Sequence, residues 1–154
     1  MVNWEVNWAG PSDLDRVDHH RRSWDWVANL WRADDAKLLK LDDQSRFTTN
    51  NGGTKLRMTK PFVDFDSQRH RLLGLLHGAP IFAVETLTEG EVHDLREVGF
   101  HLTDSERDIA VAGAAITHWH RNEPYCPRCG GKSTVINGGF GRRCVDCVGT
   151  YESM

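Results

Sequence analysis

The sequence contains no run of apolar residues near the roughly 20 that a membrane-spanning helix requires. Its start, Met1 to Pro11, is polar and tryptophan-containing, and lacks the basic residues and apolar run of a secretory signal. These two absences predict a soluble, cytoplasmic protein with no membrane partner. A strong positive excess is missing too. The formal net charge is −3, which excludes a general nucleic-acid coat. That charge is unevenly spread, because from Arg121 onward five Lys/Arg stand against three Asp/Glu. There is no internal repeat, no low-complexity run and no P-loop. The one Gly-Gly pair preceded by asparagines, Asn50-Asn51-Gly52-Gly53, lacks the spacing and the Lys-Ser/Thr of a phosphate cradle, and reads as a turn.

What is present suits a folded domain with a small appendage. Apolar residues make up 39% and charged residues 27% of 154, and six tryptophans and six phenylalanines can supply a core. Asp13 to Asp35 reads as helical, since Trp24, Val27, Ala28 and Trp31 recur at the spacing of one buried face. Ala36 to Leu41 reads as a strand whose apolar side is interrupted by Lys40. Two short apolar runs, Leu72 to Leu76 and Ile81 to Val84, flank His77-Gly78 and predict a hairpin covered on both faces. Thr103 is a good N-cap with Glu106 three residues on, opening a helix over 105–121. Ile109, Ala112, Ile116 and Trp119 line one face of it, small residues allow close packing, and Pro124 ends it. The order of elements predicts an α+β fold: an N-terminal α/β domain over 1–122 that ends in a linking helix, then a cysteine module over 123–154.

All four cysteines fall in that module, as Cys126-Pro127-Arg128-Cys129 and Cys144-Val145-Asp146-Cys147, fourteen residues apart. Each CxxC places two thiolates on one tight turn, and two such turns complete a tetrahedron around zinc. Thr134 to Ile136 and Phe140 to Arg143 can pair as a hairpin about Asn137-Gly138-Gly139. Disulfides are disfavoured by the absent secretory signal and by the confinement of every cysteine to a paired knuckle. A thioredoxin-like site needs one CxxC in a βαβ setting, which is not the pattern here. The expectation is a zinc ribbon whose ligands are Cys126, Cys129, Cys144 and Cys147. Zinc held by four thiolates has no open position for water, so its role is structural.

Several stretches resemble the NADH pyrophosphatase (NAD diphosphatase) family of Nudix hydrolases. They are Ala114 with Trp119-His120-Arg121, then Tyr125-Cys126-Pro127-Arg128-Cys129-Gly130, then Gly138-Gly139-Phe140 with Arg143-Cys144 and Cys147. Leu72-Leu73-Gly74-Leu75 and Pro80-Ile81-Phe82-Ala83-Val84 resemble that family's N-terminal domain. The resemblance spans residues 13–151 and is strongest over 69–147. It implies a small Nudix-like N-terminal domain, a linking helix and a four-cysteine zinc ribbon, here without the catalytic Nudix domain that follows them in the family. It also implies a homodimer, or a separate catalytic Nudix chain as partner. The implied ligands are NAD(H) or NAD-capped RNA, with Mg²⁺ or Mn²⁺ needed only where a catalytic domain is supplied. The Nudix box, whose grouped carboxylates hold the catalytic cations, is absent from this sequence. No residue is therefore assigned a catalytic role, and the cofactor-binding residues are unknown. The alternative is a free-standing zinc-ribbon binding or adaptor protein for a nucleotide, RNA or a protein partner.

Other residues invite functional readings beside simpler ones. Glu89, Glu91 and Asp94 lack the catalytic spacing and read as a solvated face. His118 and His120, two apart on a helix, point in different directions, and an interface histidine is the simpler reading than a metal ligand. Arg142 and Arg143 read as a solvated edge before they read as a phosphate contact. Trp24 and Trp31 read as core, while Trp4, Trp8 and Trp26 are candidates for stacking or docking. Asp64 and Asp66 read as an acidic loop.

Overall fold

A computed structural model describes residues 11–147 and 149–152 of the chain. The strands and helices follow one another as β1 (Leu14–Asp15), α1 (Trp24–Trp31), β2 (Lys37–Leu41), β3 (Phe47–Asn50), β4 (Lys55–Leu56), β5 (Met58–Thr59), β6 (Arg71–Leu76), β7 (Ala79–Glu85), β8 (Val92–His93), α2 (Leu95–Val98), α3 (Asp104–Asn122), β9 (Ser133–Ile136), β10 (Gly141–Cys144) and β11 (Thr150–Glu152). The first eight strands form one sheet in the order β1-β6-β7-β2-β3-β4, with β5 on β2 and β8 on β3. The last three form a separate antiparallel sheet in the order β11-β10-β9. The fold is α+β.

The β6–β7 hairpin forms where its two apolar runs predict it. Its turn residues His77 and Gly78 both take positive φ, at 50° and 82°, as a two-residue type I′ connection demands. Alternate residues of β7 feed different cores. Ile81 and Ala83 join a cluster with Leu39, Leu41, Leu73, Ile109, Ala112 and Ile116, which α3 covers. Phe82 and Val84 join Leu38, Leu72, Val27 and Trp31, which α1 covers. Both faces are thus buried, which is why the runs are apolar without alternation. The pairing between β7 and β2 is parallel, with Leu39 opposite Ala83. At Gly74 the β6 register slips by one residue, and a side chain there would meet the Asp15 carbonyl oxygen at 2.3 Å. Glycine at this position lets β1 close the edge of the sheet.

Helix α3 matches its sequence signals closely. Thr103 Oγ1 accepts a hydrogen bond from the Glu106 N–H at 3.2 Å, which caps the first turn. The reciprocal half of the expected capping box is corrected: the Glu106 carboxylate is turned to the sheet, where it accepts from the Leu56 N–H at 3.1 Å. Gly113 brings the helix close to the sheet. A Cβ there would lie 3.3 Å from Leu39 Cδ2 and 3.6 Å from both Leu41 Cδ1 and Leu73 Cδ1.

The long helix expected over Asp13 to Asp35 is corrected to α1 alone, preceded by β1 and a short 3-10 turn, Asp18–His20. Val17 takes φ 49°, a left-handed conformation that no α-helix continues through. Leu14 and Asp15 are drawn instead into antiparallel pairing with Leu76 and Leu75. The helix restarts at Ser23, whose side chain accepts from the Trp26 N–H. Val27 and Trp31 are buried as their spacing predicts. Trp24 is only half-buried, at the rim near Phe65.

Candidate metal centre and the surfaces around it

The cysteine ribbon is built from two tight turns at the ends of a hairpin. β9 pairs with β10, setting Cys144 opposite Ser133, and β10 pairs with β11. The first knuckle is closed by the Gly130 N–H donating to the Cys126 carbonyl at 2.9 Å and the Cys126 N–H to the Gly131 carbonyl at 2.8 Å. The second is closed by the Cys144 N–H donating to the Gly149 carbonyl at 2.9 Å. Gly130 takes φ +76°, a conformation suited to glycine.

These turns bring the sulfur atoms of Cys126, Cys129, Cys144 and Cys147 within 4.8 Å of one another. Cys126 and Cys147 sulfurs are 3.7 Å apart, and those of Cys129 and Cys144 are 3.4 Å apart. A disulfide needs about 2.05 Å. A tetrahedral ion with sulfur ligands at about 2.3 Å needs edges of about 3.8 Å, close to what is found. Among the described residues this is the one grouping of three or more His, Cys, Asp or Glu that converges in this way.

The knuckle backbone lowers the pKa of two of the thiols. N–H groups of Cys129 and Arg128 aim at the Cys126 sulfur and pull its pKa down to about 7. Those of Cys147 and Asp146, each 3.4 Å from the Cys144 sulfur, lower that thiol as well. Cys129 also accepts an N–H, from Gly131. Its hydrogen bonds with Cys144 and Cys147 outweigh that donor and push it up to about 12. Cys129 holds its proton because the neighbouring sulfurs crowd it, and a cation at the centre would reverse that balance.

The ribbon is docked on the larger sheet through polar contacts. His120, buried in the last turn of α3, lies 2.5 Å from the Gly139 carbonyl through Nε2 and 2.7 Å from Arg142 Nη1 through Nδ1. A guanidinium only donates, so Nδ1 accepts and Nε2 carries the proton. Burial, with Arg71 and Arg142 nearby, holds the His120 pKa down to about 3, and the ring is neutral. Val135 and Gln68 exchange two hydrogen bonds, Val135 N–H to Oε1 at 2.9 Å and Nε2 to the Val135 carbonyl at 3.3 Å. Arg21 donates to the carbonyls of Arg16, Leu72 and Leu73 while its guanidinium carbon sits 4.1 Å from the centre of the Phe140 ring. Tyr151 closes the far side, its hydroxyl donating to Ser133 Oγ at 2.7 Å.

The remaining sequence candidates separate cleanly. His118 is exposed and bonds Asn122, so it and His120 do face apart. Arg143 is exposed, but the solvated edge expected of Arg142 is corrected. Arg142 is buried, bonded to His120 and, through Nε and Nη2, to Ser133. Glu91 accepts from Thr49, and Asp94 caps α2 by accepting from the Glu97 N–H at 2.9 Å. Asp66 closes its own loop by accepting from the Gln68 N–H. Asp64 is exposed. Trp26 packs on the His20 ring, and Trp4 and Trp8 lie outside the described residues.

Two surface clefts were not read from the sequence. One, of about 430 Å³, is lined by Arg22, Trp24, Ile136, Asn137, Arg143 and Thr150, between α1 and the ribbon. The other, of about 160 Å³, is lined by Arg69, Arg71, Glu85, Thr117, His120 and Arg121. The first contains Trp24 and Arg143 and the second His120, residues already singled out one by one, but no local pattern in the sequence joins them to their neighbours in the clefts. No helix among the described residues is long and apolar enough to cross a membrane. Compared with known proteins, the chain matches no family model and no curated sequence.

Proposed function

We propose that this chain is a zinc-ribbon binding module, in which a structural zinc ion held by Cys126, Cys129, Cys144 and Cys147 fixes the ribbon beside an α+β domain. The observation that carries this reading is the convergence of four thiol sulfurs at the spacing of a tetrahedral site. When bound, zinc supplies cross-linking and thiolate neutralisation, and its four sulfur ligands leave no position for substrate. The surface offered to a partner is the cleft between α1 and the ribbon. Trp24 there gives a stacking face and Arg22 and Arg143 give cationic heads, which suits a nucleotide or a short single-stranded RNA. The purified protein is expected to carry about one zinc per chain by elemental analysis, released by thiol-modifying reagents. A metal-free protein with its cysteines in disulfides would overturn this reading.

A second reading takes the chain as the N-terminal and ribbon part of an NADH-pyrophosphatase-type Nudix hydrolase. It divides the chain at residue 122 and leaves catalysis to a separate Nudix chain. The order of mixed sheet, connecting helix α3 and ribbon favours it. It shares the zinc site with the first reading and differs in the partner. Hydrolysis of a pyrophosphate needs grouped carboxylates to hold divalent cations. The acidic residues nearest to that description, Glu91 and Asp94, are engaged in turns and caps. Zinc-loaded protein incubated with NADH and Mg²⁺ or Mn²⁺ is expected to release no nicotinamide mononucleotide and AMP. Turnover of about 1 per second or more that survives repurification would refute this. Activity gained only on adding a Nudix domain would select the second reading.

A further inference from the structure

We propose that the cavity walled by Arg69, Arg71, Arg121 and His120 binds a phosphoryl group, as free phosphate or as the terminal phosphate of a small molecule. The cavity lies where the start of β6, the end of β7 and the last turn of α3 meet beneath the docked ribbon. Three guanidinium groups reach it from separate places in the chain, Arg69 from the loop before β6, Arg71 from β6 and Arg121 from α3. One carboxylate lines the cavity with them, Glu85, which Arg121 already holds through Nε at 2.6 Å; a second, Asp66, acts on Arg71 from beyond ion-pair distance. Arg69 and Arg71 have no carboxylate oxygen within 4 Å among the described residues. A fourth guanidinium, Arg142, is buried behind His120 and likewise has no carboxylate partner among the described residues.

Such a grouping is costly without a counterion. Arg71 and Arg142 are drawn at least partly out of water, where like charges repel more strongly as the local dielectric falls, and Arg69 adds its charge from the exposed mouth. Burial, with Arg142 next in importance, depresses the Arg71 pKa to about 10, so the group still carries its charge at neutral pH. The carbonyl end of α3 offers about half a negative charge, too little to balance the cluster. The neutral His120 does not add to the repulsion, and both its ring nitrogens are already used. An anion entering the cavity would supply the missing charge.

The donor inventory selects the kind of anion. A guanidinium has five N–H donors. Arg71 uses one on the Gln68 carbonyl, and Arg121 spends its fork on Glu85 and the Asp42 carbonyl. No hydrogen bond engages the Arg69 side chain among the described residues. Donors therefore remain on more than one side of the cavity. A planar carboxylate satisfies one guanidinium fork, whereas a tetrahedral phosphoryl group of charge near −2 can accept from several directions. A volume of about 160 Å³ admits several waters or one such group, and leaves the rest of a larger molecule outside. Phosphate binding in this cavity does not depend on which metal the cysteines hold.

The test uses the full zinc-loaded chain. Inorganic phosphate is titrated by calorimetry at constant ionic strength, with chloride as the balancing anion. One saturable site is expected, with Kd about 1 mM or tighter. Arg69→Gln, at an exposed position where folding is not at risk, and Arg71→Gln, with its fold checked by circular dichroism, should each weaken binding about tenfold. Arg143→Gln, in the other cleft, should leave it unchanged. Tighter binding of AMP than of phosphate, lost in the same variants, assigns the group to a nucleotide. Equal or weaker binding of AMP assigns it to free phosphate. Absence of saturation, indifference to both Arg69→Gln and Arg71→Gln, or loss on Arg143→Gln would overturn the proposal.

Discussion

Cys144→Ser is expected to release the metal and melt the ribbon while leaving the core of the larger sheet folded. Cys144 is fully buried at the end of β10, and two backbone N–H groups are aimed at its sulfur. A serine hydroxyl does not ionise at neutral pH, so it neither replaces the thiolate on zinc nor completes the tetrahedron. Little else holds the ribbon. Among the described residues its buried apolar side chains apart from cysteine reduce to Val135, while Phe140 is packed into the core of the other sheet. Metal binding in comparable small zinc modules supplies about 10–16 kcal/mol, far more than three short strands can lose and stay folded. Hydrogen exchange should show the β9 and β10 amides losing protection while those of β6 and β7 keep it. Around the dock, Arg21 and His120 would lose their ribbon partners, so the last turn of α3 should loosen as well. A chelator on the unaltered protein should reproduce the pattern. Unchanged zinc content and protection in Cys144→Ser would show that three thiolates suffice.

Ile116→Asp is expected to cost several kcal/mol, a large part of the 5–15 kcal/mol that holds a typical domain. Ile116 is 2% exposed and belongs to the cluster formed with Leu39, Leu41, Leu73 and Ile81. One turn earlier, Gly113 brings the α3 backbone close to the same leucines. The helix cannot shift outward to hydrate the new carboxylate without opening that contact. Ile116→Val, which removes one methyl group, should cost only about 0.5–1.5 kcal/mol and serves as the control. Urea denaturation of the two variants measures the difference. Equal midpoints would mean that this face of α3 is not buried in solution.

What was legible in the sequence was what neighbouring residues decide among themselves. The cap at Thr103, the His77-Gly78 turn and the two CxxC knuckles are local patterns, and each is found as read. The helix projected over Asp13 to Asp35 failed because its first half answers to a distant strand. Leu14 and Asp15 pair with residues about sixty positions away, and no periodicity within the segment reports that. The two-residue strands β4, β5 and β8 escaped notice for the same reason. Arg21 went unremarked because a continuous helix would have given it no special place. In the structure it is 4% exposed and ties β6 to the ribbon. The arginine cavity draws on Arg69, Arg71 and Arg121, which only the fold brings to one place.

The parallel pairing of β2 with β7 has a consequence for the order in which the molecule assembles. The β6–β7 hairpin closes over a two-residue turn and α3 forms through contacts four residues apart, both fast local events. β2 has no such route to its partner, because Leu41 meets Glu85 only after all the chain between them has been looped out. The entropy of that closure must be met before any pairing offsets it, and topologies of this kind fold slowly. Until β2 arrives, the β7 edge and one flank of α3 expose Phe82, Ala83 and Ile109 to the surroundings. The interval before that strand docks is when the chain is most open to sticking to its own copies.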